Sequence, residues 1–207
     1  ARATQATGLA RPDDVGYLWL PMAHSFGKVL LAAQIAVGHA ALIDGDVSRI
    51  ITNLPVVRPT LMPSVPRVFE KVHAGVVAAV HREGGAKARL FGWAVGVGLE
   101  TARRRAVGAS PGPWLAARHA VADRLVFAKI RARFGGRMRY MVSGAAKLSA
   151  DISEWFDAIG LPILEGYGLT ETSAGILVNR LDRPEHGTVG LPLPGSEVTV
   201  AADGEIL

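Results

Sequence analysis

Glu165-Gly166-Tyr167-Gly168-Leu169-Thr170-Glu171-Thr172 directly follows the apolar run Leu161-Pro162-Ile163-Leu164. The run reads as the end of a buried strand. Gly166 and Gly168 allow positive φ and let backbone approach a ligand closely. Tyr167, between them, offers a flat ring for stacking on a heterocycle. Thr170 can donate a hydrogen bond to an anionic oxygen, and Glu171 can take a hard cation such as Mg²⁺. A stacking ring, a phosphate donor and a metal carboxylate together describe a nucleotide site. A strand, a Gly-rich turn and a helix with Thr170 as N-cap would give much the same string. The residues alone leave both readings open.

Working upstream, Met138–Val142 reads as a strand, and Ser143-Gly144-Ala145-Ala146 leaves its carboxyl end. Small residues there admit a flat ligand, and they equally suit a plain βα turn. Ser149 caps a helix reaching Ile159, with Asp151 and Glu154 in its first turn. The ends of two neighbouring strands then face one cleft, where open α/β sheets bind ligands. Val15–Leu20 is another strand, halted by Pro21. His24 follows at a strand-to-helix junction that leads into an apolar helix over Val29–Val37. That position suits a cleft-facing side chain, and a capping or packed histidine is the plainer alternative.

Between these lie a short strand at His39–Ile43, a weak helix capped by Asp46 and a strand at Pro59–Pro63. A helix then opens with Ser64 as N-cap and Pro66 in its first turn. Val68, Val72, Val76 and Val80 recur along it at one-turn spacing. Strand–helix alternation implies a parallel sheet with right-handed crossovers. Two long helices are expected over 86–107 and 114–134, around a Gly/Pro-rich break. Downstream of the motif, Gly/Pro punctuation over 187–207 reads as short antiparallel strands. The expected fold is α/β: a parallel-rich sheet flanked by helices, with a long helical excursion and a small antiparallel β segment at the C-terminal end. Its divisions are a sheet core over 15–80 and 138–180, the excursion over 81–137 and the start of a β subdomain over 181–207.

The 207 residues can bury a sizeable core. Cysteine is absent, which excludes disulfides, thiolate nucleophiles and Cys-type zinc sites. No run of 18 uncharged apolar residues indicates a spanning helix. No signal peptide is read at Ala1–Asp14, which is taken as a loop, and the first residue is not Met, which suggests a piece of something longer. A cytoplasmic location is expected. The net charge of +5 is uneven: residues 82–139 hold 13 Lys/Arg against 3 Asp/Glu. With Phe91, Trp93, Trp114 and Phe127, this block is a candidate for peripheral contact with an anionic membrane. In the other reading the aromatics form the seam between the helices and the arginines their wet face. No nucleic-acid partner is assigned.

The central stretch resembles the Tyr-Gly-x-Thr-Glu signature of the adenylate-forming (AMP-binding) enzymes, the superfamily of acyl-CoA synthetases, peptide-synthetase adenylation domains and firefly luciferase. Tyr167, Gly168, Thr170 and Glu171 match it. Leu20-Pro21, His24 and Gly27 resemble the family's Leu-Pro-x-x-His-x-x-Gly, and Ser143-Gly144-Ala145-Ala146 resembles its Gly-Ala segment. Gly187 to Gly195 and Gly204-Glu205-Ile206 resemble its later Gly/Pro-rich strings. Arg58-Pro59-Thr60 and Val65-Pro66-Arg67-Val68-Phe69-Glu70-Lys71 are similar to the matching stretch of long-chain fatty acyl-CoA synthetases.

The resemblance implies a two-step ligase that uses ATP, Mg²⁺ and coenzyme A to activate a fatty acid. It implies that Tyr167 stacks on adenine between Gly166 and Gly168, Thr170 holds the α-phosphate and Glu171 binds the metal. It gives Gly144, Ala145 and Ala146 the adenine and acyl walls, and His24 the edge of the acyl pocket. It places a phosphate-binding loop upstream of Ala1, and a ribose-binding aspartate and a catalytic lysine beyond Leu207. This stretch alone is therefore expected to be inactive. The alternatives are an acyl-AMP ligase, the adenylation domain of a carboxylic acid reductase, and a non-catalytic truncated remnant.

Overall fold

A computed structural model describes residues 7–207; the first six, part of the loop expected over Ala1–Asp14, lie outside the described residues. β1 (Val15–Leu18), β2 (Ala40–Ile43), β3 (Leu61–Ser64), β4 (Tyr140–Ser143) and β5 (Ile163–Leu169) form a parallel array in the order β2-β1-β3-β4-β5. β6 (Ala174–Val178) and the two-residue β7 (Leu191–Pro192) extend it antiparallel. Near the end, Val200 and Ile206 form one more antiparallel bridge. This is the parallel-rich sheet with an antiparallel C-terminal segment that the alternation implies.

β5 changes partner halfway along. Met141, Val142 and Ser143 of β4 pair with Ile163, Leu164 and Glu165, and from Gly166 onward β5 pairs with β6. The strand therefore does not end at Leu164 but runs through the glycine motif to Leu169. No helix follows: Thr170–Ser173 is a turn into β6, so Thr170 caps nothing. The backbone groups that a helix would have satisfied are met instead by Leu177, Val178 and Gly175 across the antiparallel ladder.

One face of the sheet carries the main core. Tyr17, Met62, Met141 and Ile163 belong to one cluster with Phe69, Val97, Phe127, Phe156 and Ile159. These come from α3 (Pro66–Glu83), α4 (Gly85–Ala106), the segment after α5 (Gly112–Ala122), and the region of α7 (Ala150–Ala158). Phe69 and Trp155 meet Phe156 edge-on, with centroids 5.6 and 5.0 Å away, the arrangement aromatic quadrupoles favour. α4 touches α7 backbone-close at Gly98, where a Cβ would strike the Ala158 carbonyl.

Several boundaries differ from expectation. Ser64 is the last residue of β3 and fully buried, while Val65 occupies the N-cap of α3 without a side-chain bond. Pro66 at the first turn starts that helix regardless, since its fixed φ is already helical. Val68, Val72 and Val76 reach the core. The second excursion helix is interrupted: five residues, Asp123–Phe127, are π-helical, before α6 (Ala128–Arg133). Asp46 caps a short 3₁₀ turn, and α2 (Ile50–Val57) follows. The aromatics of the excursion divide. Phe127 is buried and Phe91 and Trp93 pack on the core, while Trp114 is 76% exposed.

Candidate functional site

The other face of the sheet carries α1 (Ser25–Val37), which lies against β1 and β6. His24 is its N-cap: Nδ1 accepts from Phe26 N at 3.2 Å. A neutral ring so bonded carries its proton on Nε2. His24 thus caps the helix, as the plainer reading has it, and also lines a cavity between α1 and the sheet. The turn into α1 is tight, because a Cβ at Gly27 would run into the Pro21 carbonyl.

The cavity measures about 390 Å³ and is mostly apolar. Its mouth gathers the carboxyl ends of β4 and β5, with Ser143, Gly144, Ala145, Gly166, Tyr167 and Gly168, then Thr170 and Glu171 on the turn. Three separate stretches of sequence, around 24, 144 and 168, therefore meet in one place. Ala146 does not line the cavity; it is exposed one residue past Ala145, where the loop has already turned outward. Ala145 has φ of +69°, a left-handed conformation that costs a non-glycine residue on the order of 1–2 kcal/mol and that swings the chain away from the cleft.

Close packing accounts for the glycines. A Cβ at Gly144 would come within 3.2 Å of the Phe26 ring, and one at Gly168 would collide with the Ala174 carbonyl across a bulge in the β5–β6 ladder. Neither glycine needs positive φ; both make room. Beside them, buried Glu165 accepts from Leu148 N at 2.9 Å, which ties the loop after β4 to β5. Ser25 Oγ and Thr170 Oγ1 are 3.2 Å apart across the mouth. Thr172 Oγ1 accepts from Leu169 N at 2.9 Å and so fixes the turn that presents Thr170 and Glu171.

Glu171 is exposed. Among the described residues there is no group of three or more His, Cys, Asp or Glu side chains that could hold a metal. A lone carboxylate one residue past the Thr170 hydroxyl still fits Mg²⁺, which takes one or two carboxylates and completes its shell with water and substrate phosphates.

Deeper in, the lining comes from residues without chemistry of their own: Gly16, Leu18, Phe26, Leu30 and Ala33 among them, with Gln34 and His39 at the lower end. Sequence reading passed over these. The spacing of Phe26, Leu30 and Ala33 shows a helix face, but not that the face is left open. His39 is 6% exposed, and its Nδ1 has no hydrogen-bond partner among the described residues. Burial holds its imidazole below the ordinary pKa, with Asp14 pulling weakly the other way. Asp14 is itself buried. Burial pushes its carboxyl up, but hydrogen bonds from Arg139, Thr60 and the Arg11 amide prevail and hold it below the usual carboxylate range.

A family model described as AMP-binding enzyme matches residues 1–206. The long-chain-fatty-acid–CoA ligase FadD15 of Mycobacterium tuberculosis is 38% identical over 210 residues, covering 100% of this chain and 34% of that protein. The peroxisomal long chain acyl-CoA synthetase 6 of Arabidopsis thaliana is 37% identical over 192 residues, covering 90% of this chain and 25% of its own. Among solved structures, a benzoate CoA ligase from Burkholderia xenovorans superposes with a TM-score of 0.61 at 21% identity, over 99% of this chain and 34% of that one. The N-terminal domain of FACL13 from Mycobacterium tuberculosis gives 0.62 at 15% identity, over 100% and 41%. At those identities the structures speak to the fold. The chain spans about a third or less of the curated relatives it matches.

Proposed function

Because the chain belongs to the AMP-binding enzyme family, we propose that it forms the adenylate and acyl cleft of an ATP-dependent fatty-acid–CoA ligase. The observation that carries this reading is the single cavity that opens at Tyr167, Thr170 and Glu171 and continues as an apolar channel beneath α1. A polar mouth on an apolar channel suits a substrate with an anionic head and a hydrocarbon tail.

In this reading a carboxylate oxygen of the fatty acid attacks the α-phosphorus of ATP. The bond to the β-phosphate oxygen breaks, and pyrophosphate leaves. The thiolate of coenzyme A then attacks the acyl carbonyl and AMP departs. Tyr167 stacks on adenine, and Gly144, Ala145, Gly166 and Gly168 let the ring and sugar approach the strand ends. The Thr170 hydroxyl donates to the α-phosphate where charge develops. His24, with its proton on Nε2, donates at the edge of the acyl pocket. Glu171 is the protein ligand for Mg²⁺, which when bound offsets phosphate charge. The long-chain relatives, at 37–38% identity, favour a fatty acid over an aryl acid.

The basic excursion is proposed to rest on an anionic membrane. Exposed Trp114, Val121 and Leu125 lie on one helical stretch with Arg118 and Arg124, which form no ion pair among the described residues. Among the described residues no helix is long and apolar enough to cross a membrane.

The test is fatty-acid-dependent exchange of pyrophosphate into ATP, run on this chain and on the full-length protein. Exchange in the full-length protein alone supports the ligase and shows that the phosphate grip lies outside this chain. No exchange in either, across short, medium and long acids, would falsify the reading.

A further inference from the structure

Among the described residues, four that are not glycine have positive φ. Arg58 closes α2 as its C-cap. The other three belong to the two loops at the cleft mouth: Ala145 after β4, and Ser173 and Ala174, at +59° and +81°, in the turn from β5 to β6. Hairpin loops normally give their left-handed positions to glycine. Here Gly168 and Gly175 pair across the ladder just outside the turn, and neither takes positive φ. The glycines make room, while a serine and an alanine bear the strained backbone. A left-handed residue other than glycine is disfavoured about tenfold. Such strain persists only where the surroundings impose it, and it serves to preset a ligand clamp.

The turn is held by its own polar groups. Ser173 N donates to the Thr170 carbonyl at 3.1 Å. Thr172 Oγ1 accepts from Leu169 N at 2.9 Å, and its one hydrogen serves the carbonyls of Ala174 at 2.9 Å and Leu169 at 3.0 Å. A single hydroxyl therefore joins the last residue of β5 to the first of β6. Thr172 and Ser173 are exposed and are not among the residues that line the cavity, whereas Thr170 and Glu171, on the same turn, do line it.

We propose that Thr172 is a positioning residue: its hydroxyl holds the left-handed turn that keeps Thr170 and Glu171 at the cleft mouth. Without it, residues 173 and 174 return to ordinary backbone, and the two residues that meet ATP leave their places. This inference rests on the ligase reading above and adds to it a residue that touches neither ATP nor fatty acid. Each hydrogen bond lost shifts such a balance about fivefold. Thr172 gives up two at once, one accepted and one donated, so the shift is at most about thirtyfold. ATP then binds more weakly by the fraction of turns still in place.

The experiment uses the full-length protein and compares wild type, Thr172→Val, Thr172→Ser and the double variant Thr172→Val/Ser173→Gly. The readouts are the dissociation constant of ATP, measured by calorimetry without fatty acid, and kcat for pyrophosphate release at saturating ATP. Thr172→Val keeps the side-chain shape and should weaken ATP about tenfold, with kcat within about threefold. Thr172→Ser keeps the hydroxyl and should stay within about twofold of wild type. Ser173→Gly removes strain, so in the valine background it should regain about fivefold of the lost affinity. A hydroxyl that touched ATP directly would not be replaced by that glycine, and a double variant as weak as Thr172→Val overturns the inference. So does an unchanged ATP constant in Thr172→Val, or a serine variant as weak as the valine one. Should Thr172→Val unfold, Ser173→Val carries the test by adding strain with the hydroxyl intact: a loss of about fivefold is expected, and none overturns the inference. A wild type that binds no ATP removes the ligase reading and this inference together. A wild type that binds ATP, with variants that match it, removes only this one.

Discussion

Ser25 Oγ and Thr170 Oγ1 lie 3.2 Å apart, so the first residue of α1 and the turn after β5 share a hydrogen bond across the mouth of the cleft. Thr170 is exposed and Ser25 half-buried, and a bond of this kind contributes only about 1 kcal/mol net. An arriving phosphate can therefore draw the Thr170 hydroxyl away from Ser25 at small cost, whichever of the two oxygens donates in the pair. Thr170→Val in the full-length protein should lower pyrophosphate release about a hundredfold, the usual loss for one donor at a developing charge. Ser25→Ala should stay within about threefold. Equal losses in the two variants would mean that the hydroxyl pair, not Thr170 alone, does the work.

Tyr167 is half-buried between two glycines and lines the same mouth. Replacing it by alanine removes a stacking surface worth on the order of 1–3 kcal/mol per base. The Michaelis constant for ATP should rise about tenfold or more, while that for the fatty acid holds. An ATP constant that does not move would rule out stacking.

Glu171 belongs to no group of three or more His, Cys, Asp or Glu side chains that could hold a metal among the described residues. Its loss should therefore remove the one carboxylate that lines the cavity among the described residues. Glu171→Ala is expected to abolish adenylation, and Glu171→Asp should regain part of it at raised Mg²⁺. Near-normal pyrophosphate release from the alanine variant would remove the metal role.

What could be read from the sequence was chemistry that residue types display. Tyr167, Thr170 and Glu171 display a ring, a hydroxyl and a carboxylate within five positions, and all three line one cavity with His24, Gly144 and Ala145. What escaped was set by tertiary pairing. β5 continues past Leu164 because β6 supplies partners, and no local signal in Gly166–Leu169 says so. Ser64 has the composition of an N-cap but is claimed by the β3–β4 ladder. His24 was posed as cap or cleft residue, and it is placed at both.

Gly168 tests the packing account of the motif separately from its chemistry. Its would-be Cβ meets backbone, the Ala174 carbonyl, rather than a flexible side chain. The β5–β6 ladder would have to part to admit a methyl group. Overpacking of this kind costs about 1–3 kcal/mol. Gly168→Ala should therefore lower the thermal midpoint of the full-length protein by several degrees, whereas Gly166→Ala, whose nearest backbone atom lies at 3.3 Å, should cost less. Matching midpoints for the two would show that the ladder yields freely there.

Acid should loosen the base of the sheet before the cleft. Arg139 Nη1 donates to both Asp14 oxygens at 2.6 Å, and Thr60 Oγ1 donates to Oδ1 at 2.6 Å. Val15 N donates to Thr60 Oγ1, so the cluster anchors the start of β1. Burial opposes ionisation of Asp14, but these partners leave its folded pKa below the ordinary value. A depressed carboxylate contributes stability that is present above the unfolded pKa, near 3.9, and is lost as pH falls through the folded value. Asp157 behaves alike: burial raises it, and His186 and Arg105 outweigh burial. The urea midpoint should hold at neutral pH and fall below about pH 4. Asp14→Asn keeps the shape but leaves Arg139, 23% exposed, without its counter-charge. It should cost about 2–3 kcal/mol at neutral pH and flatten the acid limb in part, the rest belonging to the other depressed carboxylates, Asp157 and Arg131-bound Asp123 among them. An acid limb as steep as wild type would take the acid response away from Asp14.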